Sequence, residues 1–116
     1  MKRVIIAEDE HMTSILFKRV VERSGHEVVA AVYTGEEAVK KADELRPDVA
    51  FLDINMEHRN AGIDACEAIK ELHPEIKVYF LTAYSKDAFE KELDGIQYDG
   101  YIDKLDFEMS VGELLK

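Results

Sequence analysis

Three carboxylates stand where apolar runs give out: Glu8 and Asp9 close "VIIAED", and Asp53 closes "VAFLD". A hydroxyl, Thr82, closes "VYFLT", and a lysine, Lys104, follows "GYID". Carboxylates gathered in one place repel one another unless a cation neutralises them or a proton is retained. Hard oxygen donors with room for water suit Mg²⁺, which takes octahedral oxygen ligands at about 2.0–2.1 Å. Beside such an ion a carboxylate can remain a ligand, or it can attack a phosphoryl group while the cation offsets charge on the equatorial oxygens. Lys104 would add a fixed positive charge from the other side, and the Thr82 hydroxyl could donate to a phosphoryl oxygen.

This chemistry requires elements that bring the run ends together. Lys2 to Ala7 is apolar after its basic start and too short for a stable helix, so it reads as a buried strand, as do "EVVAAVY", "DVAFLD", "KVYFLTA" and the short "YDGYIDK". Between them lie helical patterns. From about Glu10 to Ser24, Ile15, Leu16, Arg19 and Val20 recur at helical spacing with Met12 one turn upstream, and Gly25 supplies the stop. Thr34 and Glu37 stand at capping-box spacing before a helix whose face is Ala38, Ala42 and Leu45 and which Pro47 closes. Ile63, Cys66, Ile69 and Leu72 mark a third helix, Phe89 and Leu93 a fourth from about Lys86, and Phe107, Val111, Leu114 and Leu115 a fifth. Five βα units with strands apolar on both faces predict an α/β fold, a doubly wound parallel sheet in three layers. Ligands in such sheets bind in the crevice outside the strand C-termini, where Glu8, Asp9, Asp53, Thr82 and Lys104 fall. Strand order does not follow from periodicity alone.

The bulk properties exclude several classes. A chain of 116 residues is expected to form one domain, residues 1–116, and is long enough to bury a core without staples. No apolar stretch approaches the ~20 residues of a membrane helix, and a cytoplasmic location is expected. A net charge of −10 repels a phosphate backbone, so direct nucleic-acid binding is not expected. Cys66, the single cysteine, can form no internal disulfide and is expected to pack in a helix as a reduced, apolar-like residue. His11 is expected to be a polar residue in the first helical turn, and Met56 and Phe17 to be packing residues.

The acidic pair "ED" after the first strand, the aspartate of "FLDIN", the "LTA" after the fourth strand and the "YIDK" of the fifth resemble, at matching intervals over nearly the whole chain, the receiver domain of two-component response regulators. The resemblance implies a flavodoxin-like (βα)5 sheet of order 2-1-3-4-5. It implies that Asp53 is the phosphoacceptor and that Asp9 ligates Mg²⁺ directly. Glu8 would act mainly through water, and the Asn55 main-chain carbonyl would complete the protein ligands. Thr82 would be the switch hydroxyl, Lys104 the phosphate-pairing lysine and Tyr101 the aromatic that turns inward on activation, with its side chain on the opposite strand face from Lys104. By the same resemblance, Asn55 and Tyr84 would occupy the two variable positions that, in the family, influence acyl-phosphate hydrolysis. The implied partners are a sensor histidine kinase or phosphotransfer protein, and a downstream protein or fused effector domain. Residues 84 to 116 hold nine acidic and four basic side chains, which favours a basic partner there. The implied role is a switch that promotes its own phosphorylation and dephosphorylation rather than a turnover enzyme.

Two positions depart from the family pattern. "DINMEHRNAG" carries Glu57 where proline is usual and puts Gly62 nine rather than eight residues after Asp53, an apparent insertion. Leu105 follows Lys104 where proline is usual; a cis bond there would cost about 2.5–4 kcal/mol, so a trans bond with an adjusted loop is expected. Two other readings stay open. A Mg²⁺-dependent phosphohydrolase would use Asp53 as nucleophile, but Asn55 stands where the related chemistry wants a second acid. An unphosphorylated interaction module of the same fold would leave the charged residues unused.

Overall fold

The computed structural model describes residues 1–83 and 86–116, so Tyr84 lies outside the described residues. In chain order the elements are β1 (Arg3–Ala7), α1 (His11–Arg23), β2 (Glu27–Val32), α2 (Gly35–Leu45), β3 (Val49–Asp53), α3 (Ala61–Leu72), β4 (Lys77–Thr82), α4 (Glu90–Leu93), β5 (Gly100–Asp103) and α5 (Phe107–Leu114). Short 3₁₀ turns, Lys86–Phe89 and Lys104–Asp106, lead into α4 and α5. The strands form one parallel sheet of order β2-β1-β3-β4-β5. The expected α/β fold and strand order are both present.

Alternate strand residues feed two cores, because successive side chains point to opposite faces. Ile5, Ala50 and Leu52 face one layer, packed by Ala38, Ala42, Ile63, Cys66 and Ile69 of α2 and α3. Val4, Ile6, Val49 and Phe51 face the other, where Phe17 stacks on Phe107 at 4.1 Å and Phe107 meets Phe51 edge-on at 5.3 Å. Cys66 is buried, and burial pushes its thiol up to about 12.

The stripe that turns α1 toward the sheet is Ser14, Phe17, Val20 and Val21. Of the periodic set expected from the sequence only Val20 belongs to it; Met12, Ile15 and Leu16 are exposed. Two apolar stripes run along this helix, and contact with Val4, Ile6 and Phe107 selects the one carrying Phe17. On α3, Ile63, Cys66 and Ile69 are buried as the spacing predicts, but Leu72 is exposed and Lys70 is buried. Lys70 Nζ is satisfied there by Asp99 at 2.6 Å and by the carbonyls of Ile76 and Pro74 at 2.6 and 3.3 Å.

Candidate functional site

The rim of the sheet at the strand C-termini gathers the charged residues. β1 and β3 pair directly, Ala7 opposite Leu52, so Glu8 and Asp9 emerge beside Asp53. One carboxylate oxygen from each of Glu8, Asp9 and Asp53 lies within 4.8 Å of the other two. Glu8 is fully buried, Asp53 nearly so, and Asp9 is exposed. Lys104 stands in the turn just beyond β5 and reaches across, its Nζ 2.6 Å from Glu8 Oε1 and 3.0 Å from Asp53 Oδ2. Because Lys104 has left the strand, the expected opposite-face relation to Tyr101 does not apply.

One lysine between two buried carboxylates leaves the cluster too negative. Burial raises the pKa of Asp53 above its ordinary range; Lys104 opposes this and the Asp9 charge adds to it. Burial likewise raises Glu8, against its contacts with Lys104 and the Glu10 N–H, while Asp53 adds to the rise. For Lys104 itself burial works against the charge, but the pairs with Glu8 and Asp53 outweigh it and hold its pKa up. The donor set is oxygen only, compact and open on the Asp9 side, which fits a small hard divalent cation.

Thr82 closes β4 and is buried; its register partner is Asp103, and Asp53 lies opposite the preceding Leu81. Tyr101 pairs with Phe80 across β4 and β5 and packs, half-buried, against the α3–α4 layer. Asn55 is exposed, and its Oδ1 accepts the Asn60 N–H at 2.8 Å. His11 stacks on Tyr33 with ring centroids 4.2 Å apart. No described peptide bond is cis, so Lys104–Leu105 is trans as expected, and Leu105 points into solvent.

In the loop after Asp53, Asn60 adopts the left-handed region at φ 64° just before α3 begins. Gly62 then packs on the strand end, its N–H donating to the Ile54 carbonyl at 2.8 Å. A Cβ there would sit 1.9 Å from the Asp53 carbonyl oxygen, so only glycine fits. Glu57 makes a contact that local sequence patterns do not reveal. Its two carboxylate oxygens accept the N–H groups of Gly35 and Glu36, at 2.7 and 3.0 Å, capping α2 from more than 20 residues away. Desolvation works against that charge, but the Gly35 and Glu36 donors outweigh it and hold the Glu57 carboxyl below its usual range.

A doubly wound sheet of this strand order with an acidic crevice and a lysine at its C-terminal rim defines a class of α/β domains that work at the strand ends. Residues 4–111 match the model of the response regulator receiver domain, and the chain belongs to that family. It is 36% identical over 87 residues to the chemotaxis protein CheY of Thermotoga maritima, covering 75% of this chain and 72% of CheY. Over 108 residues it is 35% identical to response regulator GacA of Pseudomonas viridiflava, covering 90% of this chain but 49% of GacA, so it spans about half that relative. The crystal structure of a DNA-binding response regulator of the LuxR family from Staphylococcus aureus superposes with a TM-score of 0.86 at 27% identity, covering 96% of this chain and 93% of that one. Among the described residues no helix is long and apolar enough to cross a membrane.

Proposed function

We propose that this receiver domain is a signalling switch in which Asp53 accepts a phosphoryl group from a phosphohistidine of a sensor histidine kinase or phosphotransfer protein, with Mg²⁺ as cofactor. The observation that carries the reading is the approach of Glu8, Asp9 and Asp53 to within 4.8 Å on one rim, with Lys104 3.0 Å from Asp53. Glu8, Asp9, Asp53 and the main-chain carbonyl of Asn55 would hold the ion. When bound, Mg²⁺ supplies neutralisation of the phosphoryl oxygens and of the clustered carboxylates.

The chain's own residues perform the rest. An Asp53 oxygen forms the new P–O bond as the P–N bond to the donor imidazole breaks and its electron pair returns to nitrogen. Lys104 exchanges its contact with the Asp53 carboxylate for one with a phosphoryl oxygen. Thr82, at the end of the adjacent strand, donates its hydroxyl to another, and Tyr101 moves into the space this opens. The two arrangements of Thr82 and Tyr101 differ in their interaction with the phosphorylated aspartate, which is what a population shift requires. The face formed by α4, β5 and α5 then changes its affinity for a basic-surfaced downstream protein or a fused effector domain.

The test is incubation with a small phosphoramidate donor, with and without Mg²⁺, followed by mass spectrometry. One Mg²⁺-dependent phosphate located on Asp53 and absent from Asp53→Asn is expected. Phosphate on another residue, or uptake indifferent to divalent cations, overturns the reading. Release of many equivalents of phosphate from a monoester would instead favour a phosphohydrolase, and no uptake by any donor the unphosphorylated module.

A further inference from the structure

We propose that Glu57 is a positioning residue that clasps the loop after Asp53 to the start of α2 and thereby holds the Asn55 main-chain carbonyl where a divalent cation can use it. The inference rests on the Mg²⁺ site proposed above. Among the described residues, the other hydrogen bonds of residues 55–60 stay close to the loop. Asn60 donates to Asn55 Oδ1 at 2.8 Å, Met56 and Ala61 donate to the His58 carbonyl at 3.2 Å, and His58 Nε2 meets Asp64 at 3.0 Å. The one further tie, Arg59 to Glu92, is an exposed ion pair at 3.6 Å. The short bonds among these lie within the loop or reach the adjoining first turn of α3. Among the described residues, the Glu57 carboxylate is what ties the loop by short hydrogen bonds to an element distant in sequence, α2.

The α2 terminus is built to receive it. Thr34 Oγ1 accepts only the Glu37 N–H, at 3.1 Å, and the Ala38 N–H goes to the Thr34 carbonyl. The first two helical N–H groups, those of Gly35 and Glu36, are left to Glu57, and a carboxylate is the favoured group at that end of a helix. Gly35 also lets the two backbones close up: a Cβ there would lie 2.7 Å from the Ala61 carbonyl oxygen. Glu57 stands two residues after Asn55 in a loop whose far end is pinned where Gly62 meets the Asp53 and Ile54 backbone. Removing the clasp leaves residues 55–61, the stretch that carries the Asn55 carbonyl, without their hydrogen bonds to α2. Groups that orient metal ligands from outside typically change metal affinity about 10–100-fold when removed.

The test compares Mg²⁺ affinity, by calorimetry on the whole chain, with thermal stability. Glu57→Ala is expected to weaken Mg²⁺ binding about tenfold, the low end of that range, and Glu57→Gln, which keeps one acceptor oxygen, to fall between it and the natural chain. Thr34→Val removes the other α2 cap and is the structural control. It is expected to lower the melting temperature about as much as Glu57→Ala yet leave Mg²⁺ affinity unchanged. In the natural chain the Gly35 and Glu36 amide resonances are expected to shift on adding Mg²⁺. Equal affinity in Glu57→Ala and the natural chain, or equal weakening by Thr34→Val, overturns the inference alone. A natural chain that takes up no Mg²⁺ overturns the Asp53 site reading and this inference with it.

Discussion

At the N-terminal rim of the sheet, Lys70 lies buried against Asp99 at 2.6 Å; at the C-terminal rim, Lys104 lies half-buried between Glu8 and Asp53 at 2.6 and 3.0 Å. The residue types are the same and the electrostatic outcomes are opposite. Asp99 also accepts the Val78 N–H at 2.8 Å and has Lys77 nearby at 3.7 Å. Burial there is outweighed by the Lys70 and Val78 donors, and the Asp99 pKa is lowered. At the other rim burial wins, and both Glu8 and Asp53 are raised. A paired carboxylate with enough donors fastens α3 and β4 to β5. A cluster one cation short keeps an unmet demand for positive charge, which is the demand the proposed Mg²⁺ would meet.

The largest expected effect breaks the satisfied rim. Asp99→Ala strands the Lys70 charge, and removing one partner of a buried pair costs about 3–5 kcal/mol. Urea unfolding should register a loss of that order, and a loss below about 1 kcal/mol would mean the two rims do not differ in kind. Divalent cation should act on the other rim only. At about 100 times its dissociation constant Mg²⁺ should stabilise the folded chain by about 2.7 kcal/mol. That gain should vanish in Asp53→Asn and survive in Asp99→Ala, provided the latter still folds.

How far the two rims were legible in the sequence follows from how local their causes are. Glu8, Asp9, Asp53 and Thr82 announce themselves because each ends a run of strand-like apolar residues, and a parallel sheet carries all such ends to one side. Thr34 and Glu37 cap α2 within a single turn and were equally readable; Thr34 takes the Glu37 N–H as the spacing requires. Lys70 was not readable, since the carbonyls and carboxylate that satisfy it come from the turn after α3 and from Asp99, 29 positions on. On α1, Phe17 and Val20 pack as expected, but spacing alone does not exclude Ile15 and Leu16, which share the helical period; contact with Phe107 does. Glu57 left one faint signal, an acid where the family carries proline. Its partners lie across the loop on α2, and spacing rules do not reach that far.

A smaller effect sharpens the contrast by its sign. Asp53→Asn removes one charge from the overcrowded rim and should stabilise the cation-free chain, by the ~0.5–2 kcal/mol that stabilising single substitutions commonly give. Lys104→Met, which leaves Glu8 and Asp53 facing each other unpaired, should destabilise it. If Asp53→Asn proves destabilising without Mg²⁺, Lys104 already neutralises the cluster and the two rims are alike.

The finest distinction is in pH. Free carboxylates titrate near about pH 4 in the unfolded chain. Glu8 and Asp53 sit above that value when folded, so the folded state keeps protons the unfolded state has released. Their contribution is present below about pH 4 and is lost as pH rises through the raised folded values. Asp99 sits below its free value, so its contribution is present above about pH 4 and is lost as pH falls through the lowered one. Unfolding curves from about pH 4 to about pH 8 should therefore show the natural chain losing ground to Asp53→Asn as pH climbs. Its advantage over Asp99→Ala should stay level over the same span. Saturating Mg²⁺ should flatten the first difference and leave the second untouched, because a cation at the C-terminal rim favours the ionised carboxylates there and has no access to Asp99. A pH-independent difference between the natural chain and Asp53→Asn would place the Asp53 proton equilibrium outside this span and remove the electrostatic contrast between the rims.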